Sequence, residues 1–128
     1  MYVDASALVC ILADEPERRD FVRKIEVAEC FTSVVSVFEA TLAVRELTGS
    51  CASALTEVMR LVREARIEVV AIEEDVLVEL VVARDRYGKG SGHPARLNMG
   101  DCFSYAIAKS KGVQLLYKGN DFAQTDLA

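Results

Sequence analysis

Short apolar runs alternate along the chain with longer amphipathic ones, the pattern of strands separated by helices. Met1-Tyr2-Val3 opens as a buried strand, and a helical pattern follows at once over residues 5–13. Asp14-Glu15-Pro16 restarts a helix that runs to about residue 27, with Asp14 as its cap and Pro16 in its first turn. The β-branched run 31–35 is a second strand, and Ser36-Val37-Phe38-Glu39 opens a helix that Gly49 stops. A helix over 52–65, a third strand over 67–72 and a helix over 74–87 come next. Gly88-Lys89-Gly90-Ser91-Gly92-His93-Pro94 is the one clear flexible loop. Residues 100–111 form a helix closed by Gly112, and 113–117 a fourth strand. This order predicts a parallel sheet covered on both faces, in one domain over residues 1–128 without repeats or linkers.

In such a sheet the strand ends and the starts of the following helices gather on one edge, where ligands bind. Acidic residues recur there: Asp4 after the first strand, Glu39 in a first helical turn, Asp101 at a helix start, and Asp121 in Gly119-Asn120-Asp121 after the last strand. Each has an ordinary role open to it. Asp4 and Asp101 suit helix caps, Ser36-x-x-Glu39 matches a capping box, and Asp121 suits a turn. Asp126 could cap a further helix, and Ser6 could cap its own helix or support a metal's water. The recurrence argues for more. Several carboxylates on one edge repel one another unless a cation lies between them, and all-oxygen ligands suit Mg²⁺ or Mn²⁺.

An apolar content of 52% provides a core and excludes disorder. No apolar run approaches the ~20 residues of a membrane span, and Asp4 stands where a signal peptide would be basic, so a cytoplasmic protein is expected. Cys10, Cys30, Cys51 and Cys102 lack zinc or disulfide spacing and read as free thiols. A net charge of −5 argues against simple nucleic-acid binding, yet residues 84–118 hold seven basic side chains against two acids. Arg84, Arg86, Lys89, Arg96 and Lys118 are the candidate phosphate contacts, although charge alone reads more simply as solvated helix faces. The glycine-rich loop lacks the spacing of a Walker motif, and His93 within it reads as solvent-exposed. No Ser/His/Asp or Cys/His arrangement has support.

Tyr2-Val3-Asp4-Ala5-Ser6-Ala7-Leu8 resembles the opening strand and acid of PIN domains. The stretch from Tyr87-Gly88-Lys89-Gly90 through Asn98-x-Gly100-Asp101-Cys102-Phe103-Ser104-Tyr105-Ala106 to Lys118-Gly119-x-Asp121-Phe122-x-x-Thr125-Asp126 resembles the VapC toxins. The middle helices match in pattern alone, and Ala5 stands where many relatives carry Thr. The resemblance implies a PIN-like three-layer α/β/α sandwich with a four- to five-stranded parallel sheet. It implies an Mg²⁺- or Mn²⁺-dependent endoribonuclease with one or two ions, the toxin of a type II toxin–antitoxin pair. By motif position, Asp4, Glu39, Asp101 and Asp121 match the family's catalytic and metal-binding acids, with Ser6 and Asp126 supporting. The expected partners are a structured RNA such as tRNA or rRNA, cut in a loop or bulge, a VapB-like antitoxin, and a second copy in a homodimer. The mechanism expected is metal-assisted phosphodiester hydrolysis without a protein nucleophile, leaving a 5′-phosphate and a 3′-hydroxyl.

Three other classes fit less well. A phospho-acceptor domain needs adjacent acids after its first strand, and a haloacid-dehalogenase-like phosphatase needs Asp-x-Asp where this chain has Asp4-Ala5-Ser6. A catalytically silent PIN-like module, binding RNA or protein without metal, is the alternative that the motifs leave open.

Overall fold

The computed structural model describes residues 1–128. Its elements in order are β1 (Tyr2–Val3), α1 (Ala5–Leu12), α2 (Arg18–Glu26), β2 (Phe31–Ser33), α3 (Val34–Thr48), α4 (Cys51–Glu64), β3 (Glu68–Val70), a 3₁₀ turn (Glu74–Val76), α5 (Leu77–Tyr87), α6 (Met99–Lys111) and β4 (Leu115–Leu116). The four strands form one parallel sheet in the order β3-β2-β1-β4, with Tyr2 opposite both Phe31 and Leu115.

Alternation along the strands divides the core. Val3 and Leu116 join Leu8, Phe21, Val44 and Val58 on the face covered by α1 to α4. Tyr2, Val70 and Leu115 turn the other way and pack with Tyr87, Leu97, Tyr105 and Phe122 beneath α5 and α6. The result is a three-layer α/β/α sandwich, as expected.

Several boundaries differ from those read in the sequence. Val34 and Val35 belong to α3, not to the second strand, because β2 ends at Ser33 and the chain turns into the helix there. Asp14 does not cap α2: it takes a left-handed conformation (φ 54°) and pairs with Arg18 at 3.1 Å, and the helix starts at Arg18. Gly49 and Gly112 close α3 and α6 in the left-handed conformation, at φ 88° and 63°. All four cysteines are free thiols, and Cys51 alone is exposed. No helix is long and apolar enough to cross a membrane.

The strand order places the site. Connections from β1 to β2 to β3 move one way across the sheet, and β4 then returns to the far side of β1. The crevice beyond the carboxyl ends of β1 and β4 is therefore the topological switch point. Asp4 follows β1, and the Lys118–Asp121 turn follows β4. Helix α6 leads into β4, so its N-terminus reaches the same edge.

Candidate metal centre

Asp4 is 5% exposed and caps α1. Its Oδ2 accepts from the Ser6 amide at 2.9 Å and the Ser6 hydroxyl at 2.6 Å, and its Oδ1 accepts from the Ser104 hydroxyl at 2.6 Å. Asp101 stands in the first turn of α6 within a capping box. The Asn98 side chain accepts from the Asp101 amide, and Asp101 Oδ2 accepts from the Asn98 amide, both at 2.9 Å. That arrangement fixes the Asp101 rotamer and leaves its Oδ1 for another partner.

Glu39 is different. Ser33, not Ser36, is the N-cap residue of α3, so the capping box read at Ser36-x-x-Glu39 does not form. The Ser36 hydroxyl bonds Tyr2 and Ser104 instead, and the buried Oε1 of Glu39 has no hydrogen-bond partner. The carboxylate lies against the first turn of α6, where a side chain on Gly100 would overlap it.

Burial and mutual repulsion show in the ionisation of these groups. Burial first, then the charges of Asp4 and Asp101, push Glu39 up to about 7. Burial also pushes Asp101 up to about 6; Asp4 and Asp121 add to the rise, while the Asn98 amide and Lys89 oppose it. Glu39 thus lies within electrostatic reach of Asp4 and Asp101, and Asp101 within reach of Asp4 and Asp121. A partnerless buried carboxylate oxygen beside the carboxylates of Asp4 and Asp101 is a fit for a hard divalent cation, which accepts oxygen ligands and removes the repulsion.

A family model described as PIN domain matches residues 1–127. This chain belongs to the PIN-domain family. Among its relatives, a VapC ribonuclease of Rhizobium meliloti is 39% identical, with 98% of each chain covered. Ribonuclease VapC30 of Mycobacterium tuberculosis is 38% identical over the whole of this chain and 96% of its own length. Ribonuclease VapC of Mycolicibacterium smegmatis is also 38% identical, over 100% and 98%.

Not every candidate of the sequence reading joins the acidic edge of this PIN domain. Asp126 accepts from the Tyr105 hydroxyl at 2.8 Å and the Lys109 ammonium at 2.9 Å, so both its oxygens serve to tie the C-terminal turn to α6. It does not cap a further helix. Lys118 is not a free phosphate contact, because its ammonium pairs with Glu15 and, at 3.0 Å, with Glu17. Cys10, Glu15 and Glu17 bring possible ligand atoms within 4.8 Å of one another, but the Lys118 ammonium supplies the positive charge there. Ser6 does join the edge, linking Asp4 to the Lys118 amide, which donates to Ser6 Oγ at 3.0 Å.

Arg84, Arg86, Lys89 and Arg96 are all exposed, and the charge of Lys89 is felt at Asp101. The glycine-rich loop is tied at its base. A parallel bridge joins Gly88 to Leu97, the Lys89 amide donates to the Leu97 carbonyl at 3.0 Å, and His93 packs edge-on against Tyr87 at 4.8 Å. His93 is therefore half-buried and not simply solvated.

Two site residues escaped the sequence reading. Ser104 lies three residues beyond Asp101, hence on the same helix face, and that spacing was the available signal. Gly100 matters through the side chain it lacks, which no periodicity reveals.

Proposed function

We propose that this protein is an Mg²⁺- or Mn²⁺-dependent endoribonuclease, the toxin of a type II toxin–antitoxin pair. The observation that carries the reading is the partnerless buried Oε1 of Glu39 at an edge shared with Asp4, Asp101 and Asp121. The names of its relatives, which are ribonucleases, support RNA as the substrate.

Asp4, through Oδ1, and Asp101, through Oδ1, would hold the cation, with Glu39 and Asp121 completing the set. The cation would supply Lewis-acid polarisation of a phosphodiester and a nucleophilic water at neutral pH. The protein's own part is to preset these oxygens. Ser6 and Ser104 hold the Asp4 carboxylate, Asn98 holds that of Asp101, and Gly100 makes room for that of Glu39. No side-chain nucleophile is needed. Lys89, Arg84, Arg86 and Arg96 would meet the phosphates that flank the cut, in a loop or bulge of a structured RNA.

A VapB-like antitoxin would neutralise the acidic edge with an Arg or Lys. Val34, Phe38, Leu55 and Val69 are exposed on α3, α4 and β3, which supports association with a second copy.

The purified protein, free of antitoxin, should cut RNA in Mg²⁺ or Mn²⁺ into fragments with 5′-phosphate and 3′-hydroxyl ends. Asp4→Asn should remove that cutting. Metal-independent RNA binding without cleavage, unchanged by Asp4→Asn, would instead establish a silent binding module.

A further inference from the structure

A row of buried hydroxyls runs from the core to Asp4. Ser33, Tyr2, Ser36 and Ser104 are all 0% exposed and come from β2, β1, α3 and α6. Ser33 Oγ lies 2.8 Å from Tyr2 Oη, Tyr2 Oη 2.8 Å from Ser36 Oγ, and Ser36 Oγ 3.3 Å from Ser104 Oγ. Ser104 Oγ donates to Asp4 Oδ1 at 2.6 Å.

The bond from Ser104 to Asp4 fixes the direction of the whole row, because the hydroxyl donates and the carboxylate oxygen accepts. Each hydroxyl has one proton, so Ser104 accepts from Ser36, Ser36 from Tyr2, and Tyr2 from Ser33. Every O–H then points toward Asp4, and chains of this kind polarise one another. Shape alone would be met at lower desolvation cost by alanine and phenylalanine at these positions.

Counting lone pairs shows what the row accomplishes. A carboxylate offers about four acceptor sites, two on each oxygen. On Asp4, the amide and hydroxyl of Ser6 fill both sites of Oδ2. Ser104 fills one site of Oδ1 and leaves one.

We propose that Ser104 is a positioning residue, and that its hydroxyl, backed by Ser36, Tyr2 and Ser33, sets the Asp4 carboxylate so that Oδ1 turns its one remaining lone pair toward a divalent cation. The proposal rests on the metal-dependent reading above. Removing an outer partner of this kind weakens metal binding by about 10–100-fold. The 3.3 Å step between Ser36 and Ser104 is the weakest link, so changes beyond it have smaller effects.

The test is Mn²⁺ binding to the RNA-free protein, read from the electron paramagnetic resonance of free Mn²⁺, beside a thermal melt of each variant. Ser104→Ala should bind Mn²⁺ about 10-fold more weakly or worse. Ser36→Ala and Tyr2→Phe should lose less. Ser104→Cys, close in shape but a weak donor, serves if Ser104→Ala does not fold, and should also weaken binding. A folded Ser104→Ala or Ser104→Cys protein that binds Mn²⁺ as the wild type does, whatever its melting temperature, overturns the proposal. Asp101→Asn separates the two readings. Wild-type binding lost in Asp101→Asn but kept in Ser104→Ala removes the positioning role alone. No specific Mn²⁺ binding by the wild type overturns the metal reading, and the proposal with it.

Discussion

At the scale of single residues, the site depends on what surrounds its acids as much as on the acids. Gly100 is the sharpest case, because a side chain there would displace the Glu39 carboxylate, the end of a flexible chain, and not the backbone. Gly100→Ala should therefore melt close to the wild type yet lose roughly 100-fold in RNA cleavage, as misplacing a reacting group does. A circular-dichroism melt beside a cleavage rate checks both halves. The acids were legible in the sequence because strand-end and helix-start positions advertise themselves. Their individual roles were less so. Ser36-x-x-Glu39 spells a capping box, and the box fails because α3 begins two residues before Ser36. Asn98-x-x-Asp101 does form the box, and Asp101 still reaches the shared edge with its second oxygen.

At the scale of elements, α6 brings the site together. Its first turn carries Asp101 and leaves room for Glu39, its next turn supplies Ser104, and its last leads into β4. Asn98→Ala removes the cap and should cost about 1 kcal/mol of stability. It keeps the backbone amide that holds the Asp101 carboxylate, so metal affinity should stay close to that of the wild type, measured by denaturant unfolding and by Mn²⁺ titration. The basic residues divide by element too. Lys89, in the loop before α6, should act on RNA: Lys89→Ala should reduce the salt dependence of RNA affinity by about one phosphate contact. Lys118→Ala should leave that slope unchanged and lower stability by at most about 1 kcal/mol, since its half-exposed partners are Glu15 and Glu17. Element types were readable from periodicity, whereas boundaries were not. Val34 and Val35 look like strand residues and lie in a helix, because tertiary context outweighs β-branched preference.

At the scale of the whole molecule, the strand order β3-β2-β1-β4 creates the switch point, and there the charges of Asp4 and Asp101 are felt at Glu39 and those of Asp4 and Asp121 at Asp101. Convergence has a cost that pH reveals. Glu39 and Asp101 are raised to about 7 and about 6, above the ordinary carboxylate range near 4, so the folded protein holds protons there that the unfolded chain has released. Without metal, stability should fall as pH rises from about 4 to about 7. Mg²⁺ should offset the loss most strongly near the upper end. Melting temperatures in EDTA and in Mg²⁺ across that range check the sign; a metal-free protein that gains stability over the same window through these groups would contradict it, and Glu39→Gln isolates the share of Glu39.

The most direct measurement is the rate at which the purified protein cleaves RNA, with Mg²⁺ or Mn²⁺, with EDTA, and with Asp101→Asn alongside. Discrete fragments that require the metal, with a rate lowered in folded Asp101→Asn by more than roughly 100-fold, the most that losing an outer partner costs, are the predicted result. Cleavage by folded Asp101→Asn at the wild-type rate, or cleavage undiminished in EDTA, would contradict the account.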